Sequence, residues 1–101
     1  MLATAAISLA IEHLQKAKNF KERILGLGNI SLAKTCVRLG DAYKLKHDPA
    51  STLSAVREYE TAVSIFEKKR DTEDVDGFFK EALKGLQEMQ PRLVKINSLD
   101  V

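Results

Sequence analysis

Small residues recur at helical spacing in the middle of this chain, and they constrain its fold more than any other sequence feature. The segment Leu39-Gly40-Asp41-Ala42-Tyr43 is followed by Ala55, Tyr59 and Ala62, each about one helical turn from the next. Glycine and alanine let a neighbouring helix approach closely, while the large residues beside them fill the remaining space. The pattern therefore predicts two helices in tight contact, with Gly40 and Ala62 at the points where they touch.

Apolar periodicity divides residues 1–96 into four predicted helices within one domain. We expect a glycine-rich stop after the first helix, since glycine adopts the left-handed conformation without strain. Asp48 should cap the third helix, and Pro49 suits its first position because no amide donor is needed there. Pro91 is expected to kink or end the fourth helix. The predicted bounds are about 2–25, 30–46, 49–69 and 75–90, with residues 97–101 frayed.

Composition excludes several classes of function. Sixteen basic residues against 14 acidic ones create no strong field for nucleic acid or an anionic membrane. No apolar run approaches the roughly 18 to 20 residues needed to span a bilayer. The single Cys36 precludes an internal disulfide and fits a reducing compartment, so we expect a cytosolic or nuclear protein.

Residue types that carry chemistry are sparse. His13 and His47 lie far apart in sequence, and no Cys or carboxylate spacing makes them a metal pair. Cys36 falls on an apolar helix face, where it is most simply a small core residue. Since no acid, base and nucleophile converge in the pattern, we expect neither an enzyme nor a bound cofactor.

The chain also matches itself at an offset of 45 residues. Gly85 follows Gly40 at the same offset, although Lys84 and Glu88 then occupy the positions of a leucine and a tyrosine. The residues around Gly85 therefore do not repeat the motif around Gly40. The better-matched pairs are Ala10-Ile11 with Ala55-Val56, Leu14 with Tyr59, Ala17 with Ala62, and Phe20 with Ile65.

Residues 30–70, and more weakly residues 6–25, resemble the tetratricopeptide repeat family, whose repeat carries Leu-Gly-x-x-Tyr on one helix and Ala-x-x-x-(Phe/Tyr)-x-x-Ala on the next. Here Leu39, Gly40 and Tyr43 fill the first motif, and Ala55, Tyr59 and Ala62 fill the second. The 45-residue period is similar to the long-repeat variety, which has about 40 or more residues per repeat. The resemblance implies antiparallel αα-hairpins stacked as a short solenoid of four helices. An ordinary four-helix bundle remains the alternative.

The same resemblance implies a non-catalytic scaffold or adaptor that binds a protein or peptide partner. In the family, the first helix of each repeat lines a concave groove. Because the groove of this chain would be largely basic, it would favour binding of an extended or helical partner segment that carries some acidic residues. The alternative is a merely solvated face of an amphipathic helix. Carried over to this chain, the groove positions are Lys34, Val37, Arg38, Asp41 and Lys44.

Two other functions stay open. The chain could be an assembly element, packing an apolar face of the fourth helix against flanking repeats or a second copy. It could also resemble the microtubule-interacting and trafficking domains, which are three-helix bundles that bind peptide helices. The residues of the predicted assembly face are Phe78, Phe79, Leu83, Leu86 and Met89.

Overall fold

The computed structural model describes the backbone of residues 2–99 and the side chains of residues 4–97. Four helices follow one another: α1 (Leu2–Leu25), α2 (Ile30–Lys44), α3 (Pro49–Lys69) and α4 (Asp76–Leu99). Over the described residues the chain forms no strand. The predicted all-α class is therefore confirmed.

Side-chain caps set the starts of two helices. The Asn29 side chain accepts a hydrogen bond from the Ser31 amide at 2.7 Å, which caps α2. The Asp48 carboxylate accepts one from the Ser51 amide at 3.0 Å, which caps α3, and the proline that follows is the first helical residue. Each cap satisfies an amide that has no partner within its helix. Gly26 (φ 88°) ends α1 in the left-handed conformation.

Two helix ends differ from the prediction. α2 ends at Lys44 and not at residue 46. α4 continues through Pro91 to Leu99, so the expectation of an end at residue 90 was wrong. Beyond Pro91, α4 still contacts the rest of the fold, because Arg92 donates a hydrogen bond to the Lys44 carbonyl at 2.7 Å. Residues 97–99, which the sequence predicted to be frayed, belong to α4, and residues 100 and 101 lie outside the described part of the chain.

The core lies between α2, α3 and α4, which pack against one another. Gly40 and Ala62 are both buried, as the small-residue pattern predicted. Burial of the large side chains supplies the main stabilisation of such a core, about 1.5–3 kcal/mol for each apolar one. The largest fully buried side chains are Tyr59, Phe66, Leu32, Leu39 and Met89.

α1 packs beside α2 at the edge of this core. None of its described side chains is fully buried. Polar contacts link it to the other helices: Lys18 pairs with Glu58 of α3 at 3.0 Å, and Lys21 donates a hydrogen bond to Thr35 of α2 at 2.7 Å. α1 is therefore attached to the three-helix core by half-buried apolar and polar contacts together.

Candidate protein-interaction surface

Tyr59 of α3 lies where three helices meet. Gly40 of α2 and Gly85 of α4 both contact its ring, and a Cβ atom built on either glycine would lie under 3.0 Å from ring carbons. Only residues without a side chain allow backbones this close to the ring. Sequence reasoning set Gly85 aside because of its charged neighbours, yet its contact with Tyr59 matches that of Gly40, 45 residues earlier.

α2 and α4 run in the same direction, side by side. Lys34 near the start of α2 lies over the ring of Phe78, with its Nζ atom 4.3 Å from the ring centroid. Lys44 at the end of α2 pairs with Glu88 of α4 at 2.9 Å. Both contacts join residues 44 positions apart, so the helices keep one register along this side. We call this face the α2–α4 surface; it comprises Lys34, Arg38, Asp41, Lys44, Phe78 and Glu88.

A hydrogen bond from the core fixes the middle of the α2–α4 surface. The Tyr59 hydroxyl donates to the Asp41 carboxylate at 2.5 Å. Burial, followed by this hydrogen bond and the nearby carboxylates, raises the pKa of Tyr59 above its usual range, so the hydroxyl stays protonated. Asp41 is thereby held in one orientation, which makes its part of the surface preorganised.

The predicted groove residues divide into different environments. Lys34 and Arg38 are exposed, and within the described part of the chain Arg38 makes no ion pair. Lys44 is half-buried and paired with Glu88, whose hydrogen bond and charge contact with Lys44 lower the pKa of the Glu88 carboxyl. Basic character therefore remains at the Lys34–Arg38 end of the surface, while the Lys44 end is neutralised.

Val37 requires a correction. The sequence placed it in the groove, but its side chain is only 5% exposed and belongs to the hydrophobic core. α2 is bordered by α1, α3 and α4, so most of its circumference is covered. Val37 therefore cannot contact a partner directly.

The predicted assembly face of α4 does not form one exposed patch. Phe79 and Met89 lie in the core, at 9% and 0% exposure. Leu86 is half-buried against the same core. Phe78 and Leu83 reach solvent, and the Phe78 ring also stacks on Phe66 at 5.9 Å between centroids. The expectation of a common face for all five residues was therefore wrong.

Cys36, Lys18 and Glu58 lie close together, and their burial and charges shift the pKa values of the thiol and the amine. Burial, and then the charge of the Glu58 carboxylate, raise the pKa of the Cys36 thiol to about 12, so at neutral pH the thiol is protonated and a poor nucleophile. Burial alone would lower the pKa of Lys18, but the hydrogen bond and charge of Glu58 outweigh it and raise that pKa. Glu58 Oε1 accepts no hydrogen bond from the described residues.

Two concave regions lie away from the α2–α4 surface. An open groove of about 780 Å³ separates the α1–α2 loop from α3, beside Arg57 and Lys68. A smaller one of about 420 Å³ lies between the start of α3 and the end of α4, beside His47 and Lys95. Across residues 4–97, no group of three or more His, Cys, Asp or Glu side chains is arranged to hold a metal ion.

Within the described helices, none combines the length and hydropathy needed to cross a bilayer. Comparisons with protein-family models, with curated proteins and with solved structures found no match to this chain.

Proposed function

We propose that this chain is a non-catalytic protein–protein interaction module, resembling a short tetratricopeptide-repeat solenoid, that acts in the cytosol or nucleus without a cofactor. The observation that supports the proposal best is the shared contact of Gly40 and Gly85 with Tyr59. Because these two glycines are 45 residues apart and contact the same ring, α2 and α4 pack on α3 in equivalent ways, as two successive repeats would. Helices repeated at one spacing and in one direction form a continuous side that an elongated partner can follow.

The charges on the α2–α4 surface define the class of partner. Lys34 and Arg38 are exposed at one end, with no carboxylate of the described residues paired to them. Towards the other end, Asp41 is held by Tyr59 and Lys44 is paired with Glu88. We therefore expect a segment whose acidic residues lie at the Lys34–Arg38 end and whose remainder is neutral.

An apolar anchor lies beside this basic end. The Phe78 ring is 39% exposed next to Lys34 and is supported from beneath by Phe66. A rigid, partly exposed aromatic ring can bury an apolar side chain of a partner with little loss of conformational entropy. The favoured partner is thus an extended or helical peptide that places an acidic residue and an apolar residue close together.

The proposal can be tested by selecting peptides from a random display library on the intact chain. Selected peptides should be enriched in adjacent acidic and apolar residues. Their affinity, measured by fluorescence polarisation, should fall at least tenfold for the double variant Lys34→Glu/Arg38→Glu, since each reversal replaces an attraction with a repulsion. Phe78→Ala should weaken binding as well.

The control reverses two exposed basic residues elsewhere, Arg23 on α1 and Lys68 on α3. It should leave affinity unchanged, and circular dichroism should show the same helix content in all variants. Peptides that bind the Lys34→Glu/Arg38→Glu variant as tightly as the wild type would refute the α2–α4 surface as the binding site.

A further inference from the structure

α1 carries apolar residues on the side that faces away from α2. Phe20 and Ile24 are 60% and 64% exposed, and Leu9, about three turns earlier on the same helix, is 54% exposed. These values are high for large apolar side chains, and the three lie on a single helix. Half of the large exposed apolar residues of the described chain belong to α1 and the loop after it. Such a concentration marks a surface for association.

The outward residues repeat with alternating steps of four and three, which is the heptad spacing of paired helices. All are exposed except Ala17, which is half-buried. We call this set the outer α1 stripe; it comprises Ala6, Ala10, His13, Ala17, Phe20 and Ile24.

Side-chain size changes along the outer α1 stripe in a particular order. The first half carries the small residues Ala6 and Ala10, and the second half carries the large residues Phe20 and Ile24. Two copies of the stripe placed antiparallel about a two-fold axis near residue 15 would bring each large residue opposite a small one. Ala6 would meet Ile24 of the second copy, Ala10 its Phe20, and Ala17 its His13.

A parallel pairing lacks this fit. It would place Phe20 against Phe20 and Ala10 against Ala10, leaving a crowded end and an empty end.

We infer that the outer α1 stripe is a homodimer interface, in which α1 of a second copy packs antiparallel with Ala10 opposite Phe20. An isologous contact of this kind closes on itself and adds no further copies. α1 has 24 residues and is therefore about 36 Å long. Two such helices bury on the order of 1,000 Å² together, which is the size of a weak, reversible protein interface.

Sedimentation equilibrium of the intact chain from about 1 to 500 μM tests the inference, a range that brackets a micromolar constant. The mean mass should rise with concentration from 11.2 kDa towards twice that value. A mass that stays at the monomer value throughout overturns the inference, as does continued growth beyond the dimer.

A size swap tests the register. Ala10→Phe alone would oppose two phenylalanines and Phe20→Ala alone would oppose two alanines, so each should weaken dimerisation at least about tenfold. The double variant Ala10→Phe/Phe20→Ala again places a large side chain opposite a small one. Its dimer dissociation constant should therefore return to within about threefold of the wild-type value. Full loss in the double variant overturns the antiparallel register.

The matched control is Leu53→Ala, which removes a 49% exposed leucine from α3. It should leave the dimer constant unchanged. Positions 10 and 20 are exposed in the monomer, so circular dichroism should show unchanged helix content for every variant. The α2–α4 surface does not include α1, so the Lys34→Glu/Arg38→Glu variant should dimerise as the wild type does.

Discussion

Replacing Gly40 by alanine should destabilise the fold, although alanine is the better helix former. Gly40 lies within α2, where the substitution by itself would stabilise the helix by about 1 kcal/mol. The new Cβ, however, would lie 2.7 Å from two ring carbons of Tyr59. The sign of the net effect depends on whether that ring can move.

The structure leaves the Tyr59 ring little room. Its side chain is fully buried, Gly85 contacts the ring as well, and its hydroxyl is bound to Asp41. Overpacking a constrained core site costs about 1–3 kcal/mol, and this site belongs at the upper limit because two helices contact the same ring. Subtracting the helix-propensity gain leaves a loss of about 2 kcal/mol for Gly40→Ala.

Urea unfolding followed by circular dichroism at 222 nm measures this difference, which corresponds to a fall in Tm of roughly 10 °C. The control is Gly77→Ala, because a Cβ at Gly77 meets nothing within 4 Å. That variant should be stabilised by about 0.5 kcal/mol. In a Tyr59→Leu background, Gly40→Ala should lose most of its penalty. A Gly40→Ala chain as stable as the wild type would refute the close contact.

Three further predictions concern other sites. Lys18→Met should lower the free energy of unfolding by about 3 kcal/mol, because it leaves the Glu58 carboxylate buried without its cation, and Lys18→Met/Glu58→Met should recover most of the loss. A native Cys36 pKa raised from 9.0 to about 12 means that stability is fully present below pH 9 and falls as the pH rises towards 12, by up to about 1.4 kcal/mol per pH unit. Urea titrations across that range should show the fall, and Cys36→Ala should remove the contribution of the thiol throughout it. Pro91→Ala should stabilise α4 by about 2 kcal/mol, since Pro91 is exposed and blocks a helical hydrogen bond; lower stability in thermal unfolding would show that α4 needs a bend there.

Local chemistry made much of the fold predictable. The caps at Asn29 and Asp48 need only a side chain and an amide two or three residues away, so the sequence contains all the information. The burial of Gly40 and Ala62 was predictable for a related reason. Small residues at helical spacing have few uses other than close packing.

The errors arose where several helices act together. Val37 and Phe79 were predicted to be accessible because each helix was treated as having one buried face, yet each lies between neighbours on more than one side. The pairing of Lys44 with Glu88 joins residues 44 positions apart and left no local signal. For Pro91 the local preference to end a helix was the only signal in the sequence, whereas α4 continues past it and Arg92 contacts the Lys44 carbonyl.

The edge position of α1 has a dynamic consequence. With no fully buried side chain, α1 can open locally while Tyr59 and the rest of the core stay intact. Its amides should therefore exchange with deuterium sooner than those of α2 and α3. Such opening would expose the carboxylate of Glu58 and the thiol of Cys36 to solvent, so the detachment of one helix would set the rate at which small reagents reach the interior.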